Sequence, residues 1–223
     1  MANEKIERVT IYILDDHQIV RKGLSQYINE SDEFVVCGGA GDASTAIQEI
    51  NSIKPDLVIA DISLEGANGF EFAKALKERH KNIYVLFHSM HNEIPYVERA
   101  MRAGADGYVC KNEPIENVLI AAKTILKGER YLSKDLKDKL LNKLIDGTSA
   151  ESVDPISRLT NREFEVFKRI GKGFSMNEIA DELRLSVKTV QTYRERIKEK
   201  LNIKKSKDLV HFSFQWITAN IKE

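Results

Sequence analysis

The stretch that most constrains this 223-residue chain is residues 55–61. Pro55 and Asp56 form a turn signal. Leu57, Val58, Ile59 and Ala60 follow as an unbroken apolar run, and Asp61 ends it with a charge. A short apolar run without polar alternation, bounded by turn residues, predicts a strand covered on both faces, as in a parallel sheet. In open α/β sheets, ligands and chemistry sit in the crevice beyond the carboxyl ends of the strands, and Asp61 stands there. Taken alone, Asp61 reads first as a helix cap or loop acid. Its neighbours decide.

The flanking segments repeat the pattern. A β-rich run over 9–14 ends in Asp15 and Asp16, and a helical stripe of Ile19, Val20, Leu24, Tyr27 and Ile28 follows. A second strand over 34–36 runs into Cys37-Gly38-Gly39, and Asp42 is placed to cap a helix striped by Ala43, Ala46, Ile47 and Ile50. Residues 66–69 turn into a helix carrying Phe70, Phe72, Ala73 and Leu76. A strand over 83–87, a helix over 94–103 ended by Gly104, a strand over 108–110 and a helix over 115–126 complete the unit. Five strands alternating with five helices predict a parallel sheet covered on both faces and joined by right-handed crossovers. The carboxyl ends of strands one, three, four and five then bring Asp15 and Asp16, Asp61, Ser89 and Lys111 to one crevice. Each is an ordinary cap or surface residue singly; together they define a site.

Composition narrows the class. Apolar residues make up 42% and charged residues 30%, as in a soluble globular protein. No run approaches about 18 consecutive apolar residues, so no membrane span is expected. Residues 1–8 lack an apolar h-region, so no secretory signal is expected and the cytoplasm is the expected location. Cys37 and Cys110 lie in strand-like segments without metal-ligand spacing and read as reduced thiols. The net charge of zero hides an asymmetry. Residues 1–127 hold 14 Lys and Arg against 19 Asp and Glu, a balance of −5; residues 128–156 hold 5 against 6, or −1; residues 157–223 hold 15 against 9, or +6. An acidic first part and a basic last third imply two domains with different partners, the basic one a candidate for nucleic acid.

Four segments carry a family resemblance: Ile13-Leu14-Asp15-Asp16-His17, Asp56-Leu57-Val58-Ile59-Ala60-Asp61, Leu86-Phe87-His88-Ser89 and Gly107-Tyr108-Val109-Cys110-Lys111. They resemble the receiver domains of bacterial two-component response regulators over residues 8–127. The resemblance implies a five-stranded doubly wound sheet of the CheY and flavodoxin type, order 2-1-3-4-5. It implies that Asp61 is the phosphoacceptor, served by a sensor histidine kinase. Asp15 and Asp16 would hold Mg²⁺ together with Asp61 and the backbone carbonyl of Ser63. Ser89 takes the hydroxyl switch position, Lys111 the phosphate-contacting lysine and Tyr108 the aromatic switch position. Tyr108 would rotate inward as Ser89 moves, or else simply pack in its strand. Physical chemistry favours the same roles. Clustered buried carboxylates need a cation, Mg²⁺ prefers oxygen ligands, and a carboxylate can take a phosphoryl group as an acyl phosphate. Leu64-Glu65-Gly66 replaces a loop proline common in the family, and Asn112 and Glu113 separate Lys111 from Pro114. Ser63 and His91, two residues past Asp61 and Ser89, occupy positions that tune phosphoryl lifetime in the family.

Residues 128–156 read as a linker. Ser133 is placed to cap a helix through Ile145, striped by Leu136, Leu140, Leu141, Leu144 and Ile145, and residues 147–155 read as flexible. That stripe is open to the receiver, the last domain or a second subunit. From Leu159 the pattern is helical. Thr160 with Glu163 and Ser175 with Glu178 form capping boxes, and Ser186 caps a long basic helix through Leu201 with Val190, Tyr193, Ile197 and Leu201 inward. A last helix spans about 206–219. Two helices joined by a short turn, the second long and basic, predict an all-α, four-helix helix-turn-helix domain over 157–223. Leu159-Thr160-Asn161-Arg162-Glu163, Glu178-Ile179-Ala180, Ser186-Val187-Lys188-Thr189-Val190 and Lys200-Leu201 resemble the LuxR-type DNA-binding domain, and with a receiver this is the NarL/FixJ architecture. The resemblance puts Gln191, Thr192 and Glu195 at base-reading positions, while Lys188, Thr189, Arg194, Arg196 and Lys198 suit phosphates. Each cation is also readable as a solvated helix face, and Glu195 as the partner of Arg194 or Lys198.

The expected function is a phosphorylation-controlled transcription factor that dimerises on double-stranded promoter DNA. Two other classes compete. A phosphatase built on an Asp nucleophile usually carries a second acid two residues on, where this chain has Ser63. A DNA-binding protein with a vestigial receiver would not keep Asp15, Asp16, Ser89 and Lys111 together. The expectation is therefore a regulator whose own phosphoryl chemistry is confined to forming and losing the Asp61 adduct.

Overall fold

The computed structural model describes residues 8–64, 67–145 and 155–220. They divide into two compact units, one through Lys139 and one from Leu140.

The first unit alternates strand and helix. Its strands are β1 (Val9–Leu14), β2 (Phe34–Ala40), β3 (Leu57–Ala60), β4 (Tyr84–Ser89), β5 (Gly107–Cys110) and β6 (Tyr131–Leu132). Its helices are α1 (Gln18–Asn29), α2 (Ala43–Ile53), α3 (Gly69–Arg79), α4 (Ile94–Arg102), α5 (Glu116–Leu126) and α6 (Lys134–Ile145), the last crossing the division. The sheet runs β2-β1-β3-β4-β5-β6 with every pairing parallel. The expected order 2-1-3-4-5 is thus present, and the strand count is corrected from five to six. Tyr131 and Leu132 pair with Gly107 and Tyr108, adding a two-residue edge strand. So short a pairing has no periodicity to read; it forms where Gly128, two residues past the end of α5 and in positive φ, returns the chain to the sheet edge.

The strands are covered on both faces, as an apolar run without alternation requires. Ile11, Ile13, Leu57, Ile59, Leu86 and Val109 face one side, packed with Leu24 and Ile28 of α1 and Val118, Ala121, Ala122 and Ile125 of α5. The alternate residues Phe87 and Tyr108 face the other side, where Phe70 of α3 and Tyr96 of α4 join them. Phe70 meets Phe87 edge-on at 5.5 Å, and Phe87 lies 6.4 Å from Tyr108. Burial of such side chains stabilises by about 1.5–3 kcal/mol each. Asp42 caps α2 through Thr45 N, and Gly104 ends α4 in positive φ, both as expected. Ser133 stands just before α6, but its buried hydroxyl finds no hydrogen-bond partner among the described residues, so the expected side-chain cap is absent. Of the α6 stripe, Leu136 is buried while Leu141 and Ile145 are exposed. The flexible segment expected over 147–155 lies, Pro155 apart, outside the described residues.

The second unit is helical: a 3-10 turn (Pro155–Arg158), then α7 (Asn161–Gly171), α8 (Met176–Leu183), α9 (Val187–Lys200) and α10 (Ser206–Asn220). Both capping boxes form, and Ser186 caps α9 through Thr189 N. Arg184, in the left-handed region, ends α8 and turns the chain into α9. Trp216 of α10 packs edge-on to Phe164 and Phe167 of α7, at 5.6 and 5.7 Å. Val190 and Ile197 are buried, whereas Tyr193 and Leu201 are only half-buried.

Candidate functional site

The ladder of the sheet aims the acids. Asp61 N donates to Leu14 O (2.8 Å) and Asp15 N to Ala40 O (3.2 Å), so both residues leave their strands one step beyond the last pair. Lys111 N continues the ladder from the next strand end, donating to Ser89 O at 2.8 Å. Asp56 ties the entrance of β3 to β1 by accepting from Thr10 N and Oγ1 (2.8 and 2.7 Å). Gly69 closes the other side. A Cβ there would stand 2.2 Å from the Asp61 carbonyl oxygen, so only glycine lets α3 start against the acceptor strand.

The side chains converge as the strand ends predict. Lys111 Nζ lies 2.6 Å from Asp15 Oδ2 and 2.6 Å from Asp61 Oδ2, with all three side chains nine-tenths or more buried. The remaining Asp61 oxygen accepts from Ile62 N at 2.6 Å and Ser63 N at 3.3 Å. Burial pushes the Asp61 carboxyl up, against the opposing pull of Lys111. Burial alone would lower Lys111, but Asp61 and Asp15 outweigh it and hold the ammonium protonated. Asp15, Asp16, His17 and Asp61 each offer a ligand atom, all within 4.8 Å of one another. Asp16 Oδ1 is buried and makes no hydrogen bond among the described residues; His17 Nδ1 sits 2.7 Å away outside hydrogen-bond geometry. Three carboxylates with an unsatisfied buried oxygen form a set of hard donors fit for a divalent cation.

Ser89 and Tyr108 are both fully buried. Tyr108 already points inward, its hydroxyl donating to His91 O at 2.7 Å. The ring lies inside the fold, packed in its strand and hydrogen-bonded to the loop that follows β4. Ser89 Oγ accepts from His91 N at 3.4 Å. His91 also reaches Ser63, with Nε2 and Oγ 3.2 Å apart, and its ring stacks on Tyr96 at 3.8 Å and 10°.

In the second unit, Lys188, Gln191, Thr192, Glu195 and Arg196 of α9 are exposed. With Lys198 they line an open concavity of about 630 Å³. Thr189 is held at the cap, its Oγ1 2.8 Å from Ser186 Oγ, and Thr192 Oγ1 donates to Lys188 O (3.0 Å). Glu195 is engaged on both sides, by Gln191 Nε2 at 3.2 Å and Lys198 Nζ at 2.7 Å. Of its two expected pairings, the one with Lys198 is present. Arg194 is half-buried, its Nη1 3.6 Å from Met176 Sδ, and so stands apart from the exposed face.

Comparison with known proteins separates the two units in the same way. The model of the response regulator receiver domain matches residues 11–123, and that of the luxR family of bacterial regulatory proteins matches residues 157–213. The oxygen regulatory protein NreC of Staphylococcus haemolyticus is 34% identical over 209 residues, 92% of this chain and 96% of that protein. The chain belongs to the NarL/FixJ-type response regulators. NreC of Staphylococcus aureus is 33% identical over the same shares. A LuxR-family two-component response regulator from Aurantimonas covers 62% of the chain and 99% of its own, with a TM-score of 0.60 and 29% identity. RcsB of Salmonella enterica serovar Typhimurium, bound to a promoter in the presence of phosphomimetic BeF3⁻, covers 93% and 98% with a TM-score of 0.63; at 22% identity it shows the shared fold.

As a response regulator of this family, the chain is a phosphorylation-dependent, DNA-binding transcription regulator. Among the described residues no helix is long and apolar enough to cross a membrane. Strand ends and caps in the sequence point to Asp15, Asp16, Asp61, Ser89 and Lys111, but not to the convergence on His91, whose partners Tyr108 and Ser63 lie 17 and 28 residues away. His88 also goes unread. It is buried, with Nδ1 unpartnered among the described residues, and burial and then Lys111 lower its pKa to about 4, so it adds no charge to the site.

Proposed function

We propose that Asp61 accepts a phosphoryl group from the phosphohistidine of a sensor kinase and that the adduct drives this chain to bind double-stranded promoter DNA as a homodimer in the cytoplasm. The observation that carries it is the Lys111 ammonium 2.6 Å from both Asp15 and Asp61 in a buried crevice. Mg²⁺, held by Asp15, Asp16, Asp61 and the Ser63 carbonyl, would supply the positive charge that neutralises the transferred group. An Asp61 carboxylate oxygen forms the new P–O bond while the donor's P–N bond breaks and its imidazole leaves with the electron pair. Lys111 then exchanges a carboxylate oxygen for a phosphoryl oxygen. Ile62 N and Ser63 N hold the other Asp61 oxygen, so the attacking geometry is preset. Chemistry at the site is limited to formation and hydrolysis of this acyl phosphate. Ser63 supplies no second acid for turnover of outside esters.

On the output side, Gln191, Thr192 and Glu195 read base edges, and Lys188, Thr189, Arg196 and Lys198 contact phosphates. Arg194, turned toward Met176, is the least favoured of the phosphate contacts. The test uses purified protein with acetyl phosphate and Mg²⁺, assayed by phosphate-affinity electrophoresis and by selection from random duplexes. Wild type is expected to label and to bind selected DNA more tightly when labelled; Asp61→Asn is expected to do neither. Equal promoter affinity of Asp61→Asn and labelled wild type would overturn the proposal.

A further inference from the structure

Two of the side chains that a receiver uses to report its phosphoryl group end on His91, a residue that the family resemblance ties only to phosphoryl lifetime. His91 N donates to Ser89 Oγ at 3.4 Å, and His91 O accepts from Tyr108 at 2.7 Å. Its Nε2 lies 3.2 Å from Ser63 Oγ, and Ser63 N donates to the acceptor carboxylate itself. Its Nδ1 is 3.7 Å from Glu93, the N-cap residue of α4. Its ring lies nearly parallel to that of Tyr96 in α4, 3.8 Å between centroids. Tyr96 is fully buried and lies 6.3 Å from Phe70, so it cannot slide freely under the imidazole.

We propose that His91 is the positioning residue through which occupancy of the Asp61 site is passed to α4. The inference rests on Asp61 being the phosphoacceptor. A phosphoryl group adds charge and acceptor oxygens that draw on the Ser89 hydroxyl and on the backbone beside Ser63. The Ser63–His91 hydrogen bond is the tie between those two loops. When Ser63 and Ser89 turn to the phosphoryl group, that tie breaks, and the imidazole carries the change to α4 through its stack on Tyr96. The hydrogen bond, made or broken, is a discrete two-state element that the site biases. Ser89 and Tyr108 act on the backbone of His91, and Ser63 acts on its ring, so one residue collects all three signals.

The test is hydrogen exchange on the full-length protein, with and without acetyl phosphate and Mg²⁺, comparing peptides over 94–102 with peptides over 61–64 at measured Asp61 occupancy. In wild type, exchange in both regions is expected to change by about fivefold or more on phosphorylation. In His91→Ala the acceptor-loop response is expected to remain and the α4 response to disappear. His91→Phe keeps an aromatic ring on Tyr96 but loses the bond to Ser63; α4 is expected to be shifted already in the unphosphorylated protein and to respond further only through the backbone contacts of residue 91 with Ser89 and Tyr108. If His91→Ala melts early, Ser63→Ala tests the same tie from its other end and is expected to match His91→Phe in the unphosphorylated state. An α4 response in His91→Ala equal to wild type at equal occupancy overturns the proposal, as does His91→Phe behaving like His91→Ala. Absence of label on wild type removes the phosphoacceptor assignment itself, and the proposal with it.

Discussion

Lys111 shows how a single side chain holds a buried acidic site together. Asp15 and Asp61 would repel each other in a buried crevice, and the ammonium 2.6 Å from each offsets that repulsion. A divalent ion held by the same acids would supply charge of the same sign, so lysine and cation would partly substitute for one another. Replacing Lys111 with Met is expected to lower stability by about 3 kcal/mol at pH 7 without divalent ions, the cost of stranding a buried charge. Millimolar Mg²⁺ should then raise the melting temperature of the variant more than that of wild type, because binding energy that favours the native state adds directly to stability. Thermal denaturation with and without Mg²⁺ checks this. An identical Mg²⁺ response in the two proteins would place the ion away from the acids.

At the level of elements, α7 and α9 are held by a clamp that the capping pattern half reveals. Glu163 is the N3 residue of the α7 capping box, yet its Oε2 also lies 2.6 Å from Lys200 at the end of α9. Burial pushes the Glu163 carboxyl up, but the Lys200 hydrogen bond and the Thr160 N–H outweigh it, and the group ends below the ordinary carboxylate range. A depressed carboxyl contributes stability that is present above its unfolded pKa of about 4.3 and lost as pH falls through the folded value. Lys200→Ala should therefore cost about 2 kcal/mol near neutrality, and urea titrations should show the gap to wild type closing in acid. A gap that stays constant to pH 3 would assign the contact to the lysine's methylenes instead. The box was legible in the sequence because caps depend on residues three apart; its second partner, 37 residues on, was not. The same limit explains the rest. Apolar runs predicted β1, β3, β4 and β5, and the polar residues at their carboxyl ends, Asp15 and Asp16, Asp61, Ser89 and Lys111, predicted the crevice. The two-residue β6, the antiparallel pair of Ser63–Leu64 with Ala67–Asn68, and the convergence on His91 depend on chain segments meeting in space. The inward Tyr108 is likewise set by a carbonyl on another loop.

For the whole molecule, charge decides which account of activation can hold. Residues 1–127 carry −5 and residues 157–223 carry +6. Phosphorylation replaces the single charge of the Asp61 carboxylate with a phosphoryl group carrying about two, a net gain of about one negative charge on the acidic part, which can only weaken attraction to DNA. A gain in affinity must therefore come from a second subunit engaging the duplex or from release of a covered α9. The two differ in salt dependence. Each helix-turn-helix domain that neutralises Z phosphates contributes a slope of about −0.9Z to log K against log salt. If phosphorylation brings a second subunit onto adjacent half-sites, the slope should roughly double, and half-sites should lie about one helical turn apart. If it uncovers α9 within one subunit, affinity should rise with the slope unchanged. Anisotropy titrations of a selected duplex between about 50 and 200 mM salt distinguish them. Dimerisation predicts the doubled slope for labelled wild type and the single slope for Asp61→Asn; parallel lines for the two proteins would remove the second subunit from the activation step.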